Sequence, residues 1–228
     1  MKKIVLAALL ASVAFATQAA EKIRFASSAT YPPFESLNGE NQIVGFDIDL
    51  ANALCAQMKA ECSFSNNPFD SLVPALKFRR YDAVISGMDI TTERSKQVSF
   101  TQPYYANSAI VIAQKGKFST THQKYLQGKH PEMITVAYDS YQNAILDLKN
   151  GRLEGILGDS AVVGGWLKTN ANLATVGEHI TDSDFFGTGV GIAVRKDNQA
   201  LLKQFNAAID VLKANGTIDR LDRRWFTR

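Results

Sequence analysis

The sequence predicts an α/β protein of two similar lobes, and three observations carry the prediction. Strand-like and helix-like segments alternate along the chain, the order that builds helix-flanked sheets. A unit of the first half returns in the second. Asp70-Ser71-Leu72-Val73-Pro74-Ala75-Leu76 opens a helix, and Tyr81 to Ile85 follows as a strand stopped by Ser86-Gly87. Later, Asp139-Ser140-Tyr141-Gln142-Asn143-Ala144-Ile145 opens a helix closed by Gly151, Leu153 to Leu157 makes a strand, and Gly158-Asp159 stops it. Finally, both stops place polar groups beyond the carboxyl ends of strands, where ligands of α/β sheets bind. Two lobes with parallel sheets and a cleft between them are expected.

At the start of the chain, residues 1–19 read as a secretory signal. Lys2 and Lys3 form a positive region, Ile4 to Ala16 is apolar, and Thr17-Gln18-Ala19 supplies a small-x-small cleavage pattern. The run is shorter than the roughly 20 apolar residues that span a bilayer. Cleavage after Ala19 is expected, because cleavage after Ala20 would put the bulkier Gln18 at the −3 position.

Lys22 to Ala26 alternates polar and apolar residues, a half-buried strand. Tyr31-Pro32-Pro33-Phe34 must be a loop, since consecutive prolines remove ladder donors. Phe46, Leu50, Leu54 and Met58 recur every four residues, which predicts an amphipathic helix ending near Lys59. Glu61 to Ser65 resumes strand character. Cys55 and Cys62 are the only cysteines, and in an exported chain such a pair reads as one disulfide. No histidine stands near them to complete a zinc site, and two thiolates alone make a poor one.

Val98 to Phe100 and Ser108 to Ala113 are further strands. Gly187 to Val194 is a glycine-rich start to a strand and lacks the lysine and following helix of a phosphate-binding loop. Asn198 to Lys213 is an amphipathic helix, and Ile218 to Phe226 a shorter one. The net charge is +3, or +1 without Lys2 and Lys3. No basic stripe runs along any segment, so neither nucleic acid nor an anionic membrane is an expected partner.

Four segments and their neighbours resemble a known family. Tyr31-Pro32-Pro33-Phe34-Glu35, Gly45-Phe46-Asp47-Ile48-Asp49-Leu50, Phe69-Asp70-Ser71-Leu72 and Asp82 to Thr91 are similar to the amino-acid-binding proteins of polar amino acid ABC importers. The likeness continues through Arg94, Phe100-Thr101-Gln102-Pro103-Tyr104-Tyr105 and Gly158-Asp159 to Trp225-Phe226, nearly the whole exported chain. Within that family it resembles the arginine-binding and lysine/arginine/ornithine-binding proteins. The resemblance implies the type II periplasmic binding protein fold, two lobes joined by two crossing strands that close on a ligand. Lobe 1 is then expected over 20–112 and 194–228, and lobe 2 over 113–193. It also implies a monomer that delivers L-arginine or another basic amino acid to a membrane permease, with no cofactor, no metal and no catalytic residue.

The expected ligand contacts follow from the family positions and from chemistry. An enclosed amino acid brings a carboxylate, an ammonium and a side chain, and each buried charge needs a partner. Arg94 matches the carboxylate-binding position, where a guanidinium fork fits a carboxylate bidentately; on its own it would read as a solvated surface arginine. Asp159 matches the ammonium-binding aspartate, the alternative being a cap on the next helix. Ser86 and the backbone of Gly87 and Met88 are expected to add polar contacts. Tyr31 and Phe69 match aromatic residues that sandwich the ligand side chain, and otherwise read as core.

Asp89 stands where many relatives have a hydroxyl residue. Placed near the distal end of the pocket it favours a cationic ligand, with arginine ahead of lysine or ornithine and an uncharged ligand last. Capping the turn before Arg94, or neutralising Arg94, are its alternatives. Thr121 resembles a helix-terminal residue that meets the ligand carboxylate. One departure stands out: Ala113 to Ser119 runs straight into Thr120-Thr121-His122-Gln123, so the family's first strand of lobe 2 is missing and that lobe is shortened.

A secreted dehydratase on the same fold is the rival class, but His122, His130 and His179 are the only histidines and none falls beside Asp159 or Arg94 in the repeat. A sensor domain is the third, usually tethered to a membrane, and no tether is expected here.

Overall fold

A computed structural model describes residues 20–114, 134, 136–138 and 140–226. The expected signal at 1–19 and the junction where lobe 2 is shortened lie outside them, as does Thr121.

The first sheet holds five strands. β1 (Lys22–Ser27) runs parallel to β5 (Glu61–Asn66) on one side and to β6 (Ala83–Val84) on the other. β11 (Ala193–Val194) then pairs antiparallel with β6, and β7 (Ser99–Phe100) pairs antiparallel with β11. The alternation read in Lys22 to Ala26 is real: Ile23 and Phe25 are buried while Lys22 and Arg24 face out. A small antiparallel sheet of β2 (Thr30–Tyr31), β3 (Glu35–Leu37) and β4 (Ile43–Val44) caps this half.

Helices cover both faces of the first sheet. α1 (Phe46–Met58) sinks Phe46, Leu50 and Leu54 into the main core and ends in a left-handed Lys59. α7 (Gln199–Ala214) packs beside it with Phe205 and Ile209, and α8 (Thr217–Trp225) closes the layer. Each fully buried Phe or Leu contributes about 1.5–3 kcal/mol. On the opposite face, α2 (Phe69–Lys77) buries Leu72 and Leu76 against Val84, Met88 and Val98. Cys55 and Cys62 form the expected disulfide, which ties the end of α1 to β5.

The second sheet departs from expectation. β8 (Ala109–Gln114) lies between β9 (Gly155–Asp159) and β10 (Leu173–Ile180), and both pairings are antiparallel, so among the described residues this sheet is not parallel. The reason is that its centre is the strand that enters from the first half, and it runs against the repeat's own strand. Pairing in this sheet begins at Ala109. α4 (Tyr141–Lys149) and α5 (Ser160–Thr169) cover one face through Leu148, Val162, Val163 and Trp166. Phe186 of the short α6 (Ser183–Phe186) packs on the other.

Two chain segments join the halves, and they hold each other. Thr101 N–H donates to the Ile192 carbonyl at 3.0 Å, Tyr104 N–H to the Val190 carbonyl at 2.9 Å, and Val190 N–H to the Tyr105 carbonyl at 2.9 Å. α3 (Thr92–Ser95) stands just outside this ladder, capped by Thr91 Oγ1, which accepts from Arg94 N–H.

Candidate ligand-binding site

Two carboxylates, one from each half, meet at the crossing segments. Asp159 ends β9, and Asp89 follows β6 and bridges to Val190. The Asn107 side-chain Nδ2 donates to Asp89 Oδ1 at 2.8 Å and to Asp159 Oδ1 at 2.8 Å. Two oxygens at that distance from one nitrogen can lie no further apart than twice it. Asp89 therefore stands beside Asp159. Of its alternatives, the cap on the turn before Arg94 is provided by Thr91, while Asp89 and Arg94 do attract each other electrostatically, and Arg94 Nη1 donates to the Asp89 backbone carbonyl at 3.0 Å.

Burial governs the charge of this pair. Desolvation pushes the Asp159 carboxyl up to about 7. It pushes Asp89 up to about 6, against the opposing pull of the Asn107 hydrogen bond and of Arg94. Carboxylates stripped of water gain from a cation that replaces that water. Asp159 is 9% exposed and makes no cap bond to α5, although it directly precedes that helix.

Aromatic rings line the approach. Tyr31 donates its hydroxyl to Asp159 Oδ2 and stacks between Phe34, 5.7 Å away at 10°, and Tyr141, 5.5 Å away at 26°. Tyr141 continues to Trp166 at 4.4 Å. Gly87 makes this column possible, since its φ is +50° and a Cβ there would come within 2.9 Å of the Tyr31 ring. Phe69 stands apart, 37% exposed at the start of α2, with the Arg94 guanidinium 5.3 Å above its ring. That is cation–π distance. Desolvation lowers the Arg94 pKa.

The Ser86–Met88 turn is placed at the site, yet most of its polar groups already have partners. Ser86 Oγ donates to Glu35 Oε1 at 2.8 Å and accepts from Ser28 N–H at 2.9 Å, which leaves the hydroxyl no second proton to give. Gly87 N–H donates to Asp47 Oδ2 at 2.7 Å, and the Met88 carbonyl accepts from Gly191 N–H at 3.1 Å. The Met88 side chain lies in the core of the first sheet. Glu35 and Asp47 are thus the buried supports of the turn. Burial holds Glu35 well above the usual carboxylate range and Asp47 at about 6.

Asn107, Tyr141, Glu35 and Asp47 belong to the site beyond the residues read from the sequence. Glu35 and Asp47 stand inside the motifs that carry the resemblance, and Tyr141 inside the repeat, so they were in view without a role. For Asn107 the chain offers no signal.

The family model of bacterial extracellular solute-binding proteins, family 3, matches residues 23–228. The chain belongs to that family. This family 3 protein is 61% identical over 241 residues to ABC transporter arginine-binding protein 1 of Escherichia coli K12, across 99% of each chain. That alignment is longer than the 228 residues present here, so the relative has residues with no counterpart in this chain. The arginine-binding periplasmic protein of Mannheimia haemolytica is 43% identical over 99% of each chain. Among solved structures, a Salmonella typhimurium periplasmic binding protein described for its high arginine specificity superposes with a TM-score of 0.84. It is 51% identical, and the match covers 91% of this chain and all of that one.

Membership fixes the two-lobed periplasmic binding protein fold and a place outside the cytoplasm for the family 3 protein. Its relatives are binding proteins of transporters, not enzymes. Among the described residues no His, Cys, Asp and Glu cluster could hold a metal ion, and no helix is long and apolar enough to cross a membrane. A separate cleft of about 1000 Å³ is lined by Pro33, Ala106, Gln142, Gly165, His179 and Asp222 among others. It includes none of the expected ligand contacts.

Proposed function

We propose that this protein captures a basic L-amino acid, arginine above lysine or ornithine, between its two lobes in the periplasm and delivers it to the membrane permease of an ABC importer. The observation that carries the reading is the pair of buried carboxylates, Asp89 and Asp159, drawn from different halves to one point. A cation placed there replaces their lost hydration and bonds to both lobes at once, so binding and closure are the same event. The relatives named for arginine, at up to 61% identity over the full chain, support arginine as the first ligand.

Within the reading, Asp159 takes the ligand ammonium, and Asp89 beside it takes the cationic end of the ligand side chain. Arg94, one of whose five donors goes to the Asp89 carbonyl, takes the carboxylate with the rest of its fork. Tyr31 and Phe69 flank the aliphatic and guanidinium parts, each contact contributing about 0.5–2 kcal/mol. Residues 1–19 are removed after Ala19, and the exported chain acts as a monomer with lobe 1 over 20–112 and 194–228.

Calorimetry with each proteinogenic amino acid on the purified exported chain tests this. Arginine should bind, glutamate and leucine should not, and Arg94→Ala should abolish arginine binding while leaving the circular dichroism spectrum unchanged. Equal affinity for arginine and leucine, or an unimpaired Arg94→Ala variant, would sink the assignment.

A further inference from the structure

We infer that Asn107, in the crossing segment, is itself a ligand-contact residue that selects for a cation carrying several N–H donors; this rests on the cleft being a basic amino acid site. Its Nδ2 hydrogens are both spent, one on Asp89 and one on Asp159. That fixes which way the amide faces, because the flipped amide would turn its carbonyl oxygen toward two carboxylates. Oδ1 is then buried and meets no donor among the described residues.

A buried amide oxygen without a donor is destabilising, so a native site that keeps one has a use for it. Oδ1 and Nδ2 share one carbon, and the orphan acceptor therefore stands at the same place as the two carboxylates. Three acceptors converge there: an oxygen of Asp89, an oxygen of Asp159 and the carbonyl of Asn107. An ammonium has three N–H bonds to give and a guanidinium five. A neutral hydroxyl or a single amide cannot satisfy the set. Asn107 also sets the acids themselves, since its donated hydrogen bond holds the Asp89 pKa below where burial alone would put it.

The position strengthens the assignment. Asn107 lies two residues before Ala109, which pairs with Asp159 across β8 and β9, and two residues after Tyr105, which is held by Val190 of the return segment. Its backbone is thus fixed on both sides by the joint, so its side chain is a rigid contact, not a surface residue that happens to reach inward.

The test is calorimetry of arginine binding to the exported chain and to Asn107→Leu, which keeps the volume and loses the amide. Asn107→Ala, which cannot overpack the cleft, serves where the leucine variant fails to fold. The variant should bind arginine at least tenfold more weakly while still melting in one cooperative transition. Its loss of affinity on acidification should also begin at a higher pH than in the unaltered protein, because Asp89 has lost the donor that favours its ionised form. Equal affinity together with an unshifted pH profile overturns the role of Asn107 and leaves the basic amino acid reading standing. An unaltered protein that binds no basic amino acid overturns both.

Discussion

At the scale of single residues, burial sets chemistry that the residue type does not announce. The ordinary value for an aspartate is 3.8, and Asp159 stands near 7 because its water has been removed. A carboxyl raised on folding contributes stability that is complete below the unfolded value and is lost as pH rises through the folded one. The ligand-free protein should therefore melt lower as pH rises from about 4 to about 8, and Asp159→Asn should flatten that part of the curve. Arginine favours the ionised form, so its affinity should rise over the same interval. Calorimetry at about pH 6 in buffers of different ionisation enthalpy should register proton release on binding. No proton release would mean that Asp159 is already ionised without ligand.

Asp159, Arg94 and Tyr31 were visible because each stands in a motif that carries the family resemblance; by residue type alone Arg94 reads as a solvated arginine and Tyr31 as core. The nearness of Asp89 to Asp159 was not legible, because it depends on how two distant segments are brought together. Asn107 and Asp159 are 52 positions apart, and nothing local in Ala106-Asn107-Ser108 marks the asparagine.

Among the elements, those with clean periodicity were legible and those with interrupted periodicity were not. α1 and α7 place their apolar residues on one face and appear within a residue of expectation. α5 was anticipated only as the helix that Asp159 could cap, without bounds, because Gly164 and Gly165 sit in its middle and each glycine costs a helix about 1 kcal/mol. β10 was unread because its alternation breaks at Gly177, which has φ +76° inside a register shift. β2, β3 and β4 have two or three residues each, too few for any pattern to register. The disulfide joins two elements that were read, and its effect is measurable. Replacing Cys55 and Cys62 by alanine should lower stability by about 2.5 kcal/mol in urea unfolding. A change below about 0.5 kcal/mol would mean that α1 and β5 hold together without it.

For the molecule as a whole, the two lobes and their alternation with helices followed from the repeat, while the direction of the second sheet did not. The repeat describes only β9 and its helices. β8 and β10 join from the crossing and return segments, whose direction no local pattern encodes. Because the proposed contacts Asp89 and Asp159 stand on different halves, a ligand that stabilises one lobe should stabilise the other. Arginine at a hundred times its dissociation constant should add about 2.7 kcal/mol and raise the melting of one cooperative transition. Two transitions of which only one moves would show that the lobes unfold apart.

The ladder between Tyr104–Tyr105 and Val190 has a mechanical consequence. Asp89 pairs with that same Val190, and Asn107 stands two residues past the ladder, so under the proposed function the trigger lies next to the fulcrum. A displacement of an ångström near a pivot sweeps a much larger arc at the far rims. The rims are therefore where the state of the pocket can be sensed from outside, without any contact with the occupant. Conversely, a partner that grips both rims has long leverage on the two carboxylates, and prising the rims apart would release the occupant with little force.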